Sequence, residues 1–318
     1  MITELEFKSL AGQGYNRIPL MAEAFADLET PLSLYLKLAS GAGGAGAGRY
    51  SFLLESVIGG ERFGRYSFIG LPARTILRAS GFGADARTEV VTDGKVVETA
   101  EGNPLDFIAD YQKRFKVALR PGLPRFCGGL AGYFGYDTVR HIEKKLEKTC
   151  PPDPLGLPDI LLMHSEEVAV IDNLSGKLYL IVYADPAQPE AYSNAKKRLK
   201  VLREQLRYSV AAPQVKPSTN YPAERSFAKA DYLAAVERAK ELIAAGDFMQ
   251  VQVGQRISKR YTESPLSLYR AVRSLNPSPY MIYYDFGDFH VVSASPEILV
   301  RQEHTAEGKK VTIRPLAG

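Results

Sequence analysis

The sequence is poor in several residue types, and each shortage excludes a class of protein. Its 318 residues include no tryptophan, two cysteines and four histidines. The two cysteines, Cys127 and Cys150, cannot build a disulfide framework or, without other ligands, a closed structural zinc site. The histidines are scattered without the spacing of a metal site. We therefore expect reduced thiols and a cytoplasmic location.

Long apolar runs and strong net charge are missing as well. No apolar stretch approaches the roughly 18 residues that a membrane span requires, and the N-terminus lacks a basic-then-apolar signal pattern. Lys and Arg together number 40 against 36 Asp and Glu, so the net charge is only +4. A surplus this small does not indicate nucleic acid or an anionic membrane. We expect neither as a partner.

Strand patterns dominate the chain, with hairpins and helices between them. Asp93-Gly94 separates two β-rich runs and is a strong hairpin signal, while Thr30-Pro31 and Asn103-Pro104 are typical helix starts. Strands are also predicted at Phe248–Ile257 and between Met281 and Ala294. Because strands and helices do not alternate strictly, the predicted fold class is α+β, with largely antiparallel sheets packed as a sandwich with flanking helices.

The length, at about 150 residues per domain, suggests two domains. Residues 209–225 are rich in proline and have no apolar periodicity, so they are predicted to form a linker. They separate a first domain, residues 1–208, from residues 226–318 of a second domain. The G-x-G-x-x-G pattern at residues 41–46 follows a predicted helix and precedes a strand, which is the wrong context for a dinucleotide site. It is interpreted as a loop.

Two segments offer more chemistry than a fold alone requires. The first is a strand that ends in Glu55-Ser56 and enters a glycine-containing, charged turn, so it offers a carboxylate and a hydroxyl to a small ligand. The second is Asn276-Pro277-Ser278-Pro279-Tyr280-Met281, in which two prolines stiffen the entry into a strand. Tyr280 and Met281 suit the walls of a planar, apolar site. A tight turn and a core strand are the alternative interpretation of each segment.

Further motifs accompany these segments: Gly14-Tyr15-Asn16-Arg17-Ile18-Pro19-Leu20, Leu53-Leu54-Glu55-Ser56, Gly128–Tyr136, Gly246–Val251, Ser295-Pro296-Glu297 and Pro315-Leu316-Ala317-Gly318. With them, the chain closely resembles the anthranilate synthase component I branch of the chorismate-utilising enzyme family, nearly from end to end. The Leu-Leu-Glu-Ser and Asn-Pro-Ser-Pro-Tyr-Met segments are the features most specific to that branch.

The resemblance implies an Mg²⁺-dependent reaction. Ammonia, delivered by a glutamine amidotransferase partner, anthranilate synthase component II, adds to chorismate and displaces the ring hydroxyl. Elimination of pyruvate then leaves anthranilate. The resemblance also implies that L-tryptophan inhibits the enzyme by binding in the N-terminal half. Carried over by motif, the inhibitor site falls on Ser56, Pro279, Tyr280 and Met281, with Glu55 adjacent.

Gly318 aligns with a glycine that helps to bind chorismate in the family. The family pattern places the catalytic residues and the Mg²⁺ ligands beyond this position, so none is expected within residues 1–318. The chain is thus expected to hold a tryptophan-sensing half and only the beginning of a catalytic domain, whose strands would pair with later ones. Two alternatives remain open: aminodeoxychorismate synthase component I, and a non-catalytic tryptophan-binding fragment.

Because these groups are expected beyond Gly318, the 318-residue chain should produce no anthranilate from chorismate, ammonia and Mg²⁺. The measurement is the fluorescence of released anthranilate in a stopped assay of the purified chain. A signal that rises with chain concentration would contradict this expectation.

Overall fold

The computed structural model describes residues 1–40, 49–56, 64–211, 220–305 and 308–314. The glycine motif at residues 41–46 and the motif that ends at Gly318 lie outside the described residues. Contacts divide the chain into two compact units, one of residues 1–212 with residues 269–318 and one of residues 213–268. The domain boundaries and linker given from the sequence stay a prediction.

The α-helices of the described residues are α1 (Glu4–Gly12), α2 (Pro31–Leu38), α3 (Pro104–Lys113), α4 (Ala191–Gln205), α5 (Lys229–Ala245) and α6 (Pro265–Leu275). Short 3-10 helices cover Gly83–Asp85, Tyr136–His141 and Lys144–Thr149. The strands are β1 (Ile18–Phe25), β2 (Ser51–Glu55), β3 (Tyr66–Gly70), β4 (Thr75–Ser80), β5 (Arg87–Thr92), β6 (Lys95–Glu101), β7 (Gly129–Phe134), β8 (Ile160–Ser165), β9 (Glu167–Asp172), β10 (Lys177–Ala184), β11 (Ala223–Arg225), β12 (Ile257–Lys259), β13 (Tyr280–Asp285), β14 (His290–Ser295), β15 (Arg301–Thr305) and β16 (Gly308–Thr312). None of the helices in this part of the chain has both the length and the apolar character needed to cross a membrane.

The local signals for turns and caps are confirmed. Asp93 and Gly94 both have positive φ, 50° and 79°, and they join β5 to β6 as a two-residue hairpin. The Thr30 hydroxyl accepts the Ser33 N–H at 3.0 Å, which caps α2. The Asn103 side chain accepts the Leu105 N–H at 3.0 Å and caps α3. These elements are specified by neighbouring residues, so the sequence predicts them well.

Two antiparallel sheets pack face to face in the first unit. One has seven strands in the order β1-β10-β9-β3-β2-β13-β14, and the other has five in the order β6-β5-β4-β8-β7. Phe52 and Tyr284 of the first sheet, with Phe286 directly after β13, share a core with Leu161 and Met163 of the second sheet. Helix α4 lies against β10 and β1. The predicted α+β sandwich with flanking helices is confirmed.

The expectation that the strands of residues 281–294 leave their edges for later strands is wrong for β13, while β14 lies at the edge of its sheet. Strand β13 pairs with β2 on one side and with β14 on the other, inside the seven-stranded sheet. Met281, Tyr283 and Tyr284 are all buried. Because β13 has buried side chains on both of its faces, it suits an inner position between the second sheet and the helices.

The strand predicted at Phe248–Ile257 is also wrong. Within the described residues, only Ile257–Lys259 of this region pair, with β11. The Met249 side chain is 94% exposed. Apolar alternation produces a strand only where another strand satisfies its backbone groups, and the described part of the chain pairs no strand with residues 248–255. The Arg256 carbonyl, next to β12, accepts the Ser226 N–H at 2.9 Å.

The register of β2 with β3 places Phe52 directly opposite Gly70. A Cβ atom on Gly70 would overlap the Phe52 ring, which is fully buried. We therefore predict that Gly70→Ala lowers the free energy of unfolding by about 1–3 kcal/mol through overpacking. Denaturant titration of the purified chain measures this change. Gly12→Ala is the control, because a Cβ there meets nothing within 4 Å. Equal stability of the two variants would contradict the prediction.

Candidate functional site

The pairing of β2 with β13 joins the two segments that the sequence marks as chemically unusual. In this ladder Glu55 lies opposite Met281, at the end that leads to Ser56 on one strand and to Pro279 on the other. A cavity of about 690 Å³ opens at this end of the ladder. Its size lies within the range of small-molecule sites.

All five residues proposed for inhibitor binding line this one cavity. Ser56, Pro279, Tyr280 and Met281 contribute to its wall, as does Glu55. The other lining residues are Leu54, Gly64, Arg65, Tyr66, Phe68, Leu123, Pro124, Arg125, Ile282, Tyr284 and Arg301. The structure thus brings the predicted residues together, while the role of each stays a prediction.

Alternation along the strands determines which side chains face the second sheet. Leu54, Ile282 and Tyr284 pack against the core cluster between the sheets. Glu55 projects from the opposite face of β2, where its carboxylate meets helix α6. Glu55 therefore contributes to the cavity from the strand end, while its charge lies among groups of the helix.

The Glu55 carboxylate is fully engaged by protein groups. Tyr269 donates its hydroxyl proton to Oε2 at 2.8 Å. Arg273 donates from Nε to Oε2 at 2.7 Å and from Nη2 to Oε1 at 2.8 Å, a two-pronged ion pair. The Glu55 side chain is 3% exposed. The sequence suggested a carboxylate available to a ligand, whereas the structure gives this carboxylate three protein donors.

Three arginines line the cavity, and none of them is among the residues predicted from the sequence to bind the inhibitor. Arg65 donates to Asp172, with Nη2 and Oδ2 3.0 Å apart. Arg125 forms an ion pair with Glu303. Arg301 Nη2 lies 3.4 Å from the Tyr280 hydroxyl. Isolated arginines have no local motif, so only the tertiary structure shows that they converge on one cavity.

The wall beside Arg65 is aromatic. Its guanidinium carbon lies 4.9 Å from the centre of the Tyr66 ring, in a cation–π arrangement. The Tyr66 and Phe68 rings lie 6.3 Å apart, and both line the cavity with Tyr280 and Tyr284. The site therefore combines flat apolar surfaces with arginine side chains, of which Arg65 and Arg125 are paired with carboxylates.

The described residues do not provide a magnesium site. Among them, no group of three or more His, Cys, Asp or Glu side chains is arranged to hold a metal ion. The acidic residue of the cavity, Glu55, has its oxygens occupied by Tyr269 and Arg273. The Mg²⁺ implied by the resemblance therefore does not fit this cavity.

Comparison with known proteins shows the family to which the chain belongs. Residues 68–318 match the family model described as chorismate binding enzyme. The chain belongs to the chorismate-binding enzyme family. The resemblance inferred from the motifs is thereby confirmed at the level of the family.

Two of the relatives that the chain matches carry the same name. The chain is 54% identical over 321 residues to "Anthranilate synthase component 1" of Neisseria meningitidis serogroup B, which covers 100% of this chain and 62% of that protein. It is 50% identical over 320 residues to the protein of the same name from Pseudomonas aeruginosa, covering 98% of this chain and 62% of that protein. The chain thus spans less than two thirds of the length of these curated relatives.

A solved structure supports the fold as well. The chain is similar to the crystal structure of anthranilate synthase component I from Streptococcus pneumoniae, with a TM-score of 0.61 and 26% sequence identity. The match covers 87% of this chain and 58% of that chain. The chorismate-binding family and the α+β architecture are therefore supported independently.

Asp172 forms the ion pair that holds Arg65 at the cavity. The pKa of its carboxyl predicts how the stability of the folded chain changes at acid pH. Burial acts to raise the pKa of its carboxyl, but hydrogen bonds from Arg65, Ser175 and Leu174 outweigh burial and lower the pKa below its usual range. The folded protein thus binds this proton more weakly than the unfolded chain does. The stabilisation is complete above the unfolded pKa of about 4 and is lost as the pH falls through the lower folded pKa.

We predict that Asp172→Asn lowers the free energy of unfolding at pH 7 by about 1–3 kcal/mol, because a buried, charge-assisted hydrogen-bond acceptor is lost. The difference from the unmodified chain should shrink as the pH is lowered toward 3. Denaturant titrations at several pH values measure this trend. Asp27→Asn, at an exposed position, is the control. A difference that does not change with pH would contradict the assignment.

Proposed function

We propose that the protein to which this chain belongs is the large component of an anthranilate synthase. It converts chorismate and ammonia to anthranilate and pyruvate, in the first step committed to tryptophan. The similarity to proteins named anthranilate synthase component 1, at 54% and 50% identity, supports this proposal. So does the presence of both branch-specific segments on one cavity.

The proposal includes the partners and the cofactor of the complete protein. A glutamine amidotransferase component supplies ammonia, and Mg²⁺ supplies charge neutralisation for chorismate. The Mg²⁺ ligands and the catalytic residues are expected beyond residue 318. Gly318 is proposed to contact chorismate, and it lies outside the described residues. A cytoplasmic location belongs to the same proposal.

We assign the cavity beside β2 and β13 to L-tryptophan as a feedback inhibitor. Tyr280 and Tyr66 offer aromatic surface for an indole ring. Met281 reaches the cavity at the strand end, while its side chain is buried on the Glu55 face of the ladder. Arg65 and Arg301 offer positive charge for the carboxylate of the amino acid. Ser56 offers a hydroxyl near the end of β2. The flat apolar walls suit the indole ring of L-tryptophan, and the arginines suit its carboxylate.

The placement of the cavity supports a regulatory role. A ligand that contacts Ser56 and Tyr280 touches the ends of two strands that are distant in sequence but adjacent in the sheet. Such a ligand stabilises one relative position of the two segments over others. Inhibition then requires that catalysis depend on that position.

Direct binding can be measured without interference, because the chain has no tryptophan of its own. With excitation selective for indole, the fluorescence anisotropy of L-tryptophan should rise as the chain is added. Phenylalanine should not compete effectively. Absence of any anisotropy change up to high chain concentration would remove the proposed inhibitor site.

Ser56→Leu should weaken L-tryptophan binding about tenfold or more, because it removes a hydroxyl and fills the polar end of the cavity. The same anisotropy titration gives the dissociation constant. Ser9→Leu, at an exposed position of α1, is the matched control and should bind like the unmodified chain. Equal affinity of all three proteins would exclude Ser56 from the site.

The product distinguishes the two chorismate-using alternatives. The complete gene product, supplied with chorismate, ammonia and Mg²⁺, should release anthranilate with its characteristic fluorescence. Accumulation of aminodeoxychorismate without pyruvate release would instead identify an aminodeoxychorismate synthase.

A further inference from the structure

A cluster of three side chains joins strand β2 to helix α6 next to the cavity. Glu55 is its centre, Arg273 holds both carboxylate oxygens, and Tyr269 adds a third hydrogen bond. Tyr269 is fully buried and the Glu55 side chain is 3% exposed. Neither Arg273 nor Tyr269 belongs to the residues that line the cavity.

The cluster and the cavity residues are connected in a closed path that runs along the chain, across the strand ladder and through the ion pair. From Arg273 the chain runs through the proline-containing segment to Pro279, Tyr280 and Met281. Met281 pairs with Glu55 across the ladder, and Glu55 returns to Arg273 through the ion pair. Pro279 and Tyr280 therefore lie on a short chain segment that is held at both ends.

We propose that the Glu55–Arg273–Tyr269 cluster is a positioning device that fixes the cavity end of the β2–β13 ladder. Through it, Arg273 determines how well the cavity binds its ligand without touching that ligand. The part of this inference that concerns the ligand rests on the proposed tryptophan site. The part that concerns the ladder is independent of any ligand.

The chemistry of the cluster explains why arginine is needed. The planar guanidinium presents two parallel N–H groups that match the two oxygens of a carboxylate, and it fixes orientation as well as distance. Lysine keeps the charge but offers a single point of attachment. Removal of Arg273 leaves a buried carboxylate with only the Tyr269 donor, and the end of β2 must move to rehydrate it.

The protonation states fit this arrangement. The hydrogen bonds with Glu55 raise the pKa of Arg273, and burial beside Glu55 raises the pKa of the Tyr269 hydroxyl. Both groups therefore keep their protons and act as donors to the carboxylate at neutral pH.

The structure offers a matched control for the loss of an ion pair between helix and sheet. Arg198 of α4 donates to Glu167 of β9 from Nε at 2.9 Å and from Nη2 at 2.7 Å. Strand β9 belongs to the same seven-stranded sheet as β2. Arg198 does not line the cavity. Arg198→Gln therefore removes a two-pronged pair between helix and sheet, at a carboxylate that is 27% rather than 3% exposed, without altering the positioning cluster.

The first test is hydrogen exchange of the ligand-free 318-residue chain. In Arg273→Gln, the amides that pair β2 with β13 near Glu55 and Met281 should exchange at least tenfold faster than in the unmodified chain. Arg273→Lys should give an intermediate rate. Arg198→Gln should leave these amides unchanged. Equal exchange in Arg273→Gln and Arg198→Gln would overturn the proposal.

The second test is the L-tryptophan titration of the same variants. Arg273→Gln should raise the dissociation constant at least tenfold, with partial recovery in Arg273→Lys, and Arg198→Gln should bind like the unmodified chain. Unchanged affinity in Arg273→Gln would overturn the claim that Arg273 determines affinity. If the unmodified chain binds no tryptophan, the proposed inhibitor site fails, and hydrogen exchange alone decides the positioning role.

Tyr269→Phe keeps the proposal testable if Arg273→Gln does not fold. It removes one hydrogen bond to Glu55 and leaves the ion pair in place. A severalfold increase in exchange at the same amides, above that of Arg198→Gln, is expected. No increase in this variant would count against the cluster as a positioning device.

Discussion

The antiparallel pairing of β2 with β13 is the interaction on which the rest of the site depends. It places Glu55 opposite Met281, although the two residues are far apart along the chain. The pairing extends the seven-stranded sheet to β14 and leaves the Ser56 and Pro279 ends open as a cavity. Without this ladder, the two unusual segments would share no wall, and neither alone could enclose a ligand.

The two faces of this ladder have different roles. Phe52 and Tyr284 face the five-stranded sheet and form part of the core of the sandwich. Glu55 and Tyr283 face the helices. The Tyr283 ring packs edge-on against the Tyr269 ring of α6, and the two ring centres are 5.8 Å apart. Apolar burial on one face and a satisfied ion pair on the other hold the strands from both sides.

The chain belongs to the chorismate-binding enzyme family, and this membership is the basis for assigning a function to its architecture. The chain spans 62% of the length of the relatives from Neisseria meningitidis and Pseudomonas aeruginosa. What the described residues provide is a sheet sandwich with a cavity that combines aromatic walls and an arginine-rich rim. That chemistry suits the proposed recognition of an amino acid.

The sequence by itself determined the elements that depend on neighbouring residues. The Asp93-Gly94 hairpin, the caps at Thr30 and Asn103 and the α+β class follow from local conformational preferences. The family also followed, because its motifs are short and contiguous. Only the tertiary structure decided the partner of β13, the attachment of Glu55 to Arg273 and the convergence of the cavity arginines. These depend on pairing between distant segments, and local propensity carries no information about which strand or charge will be available there.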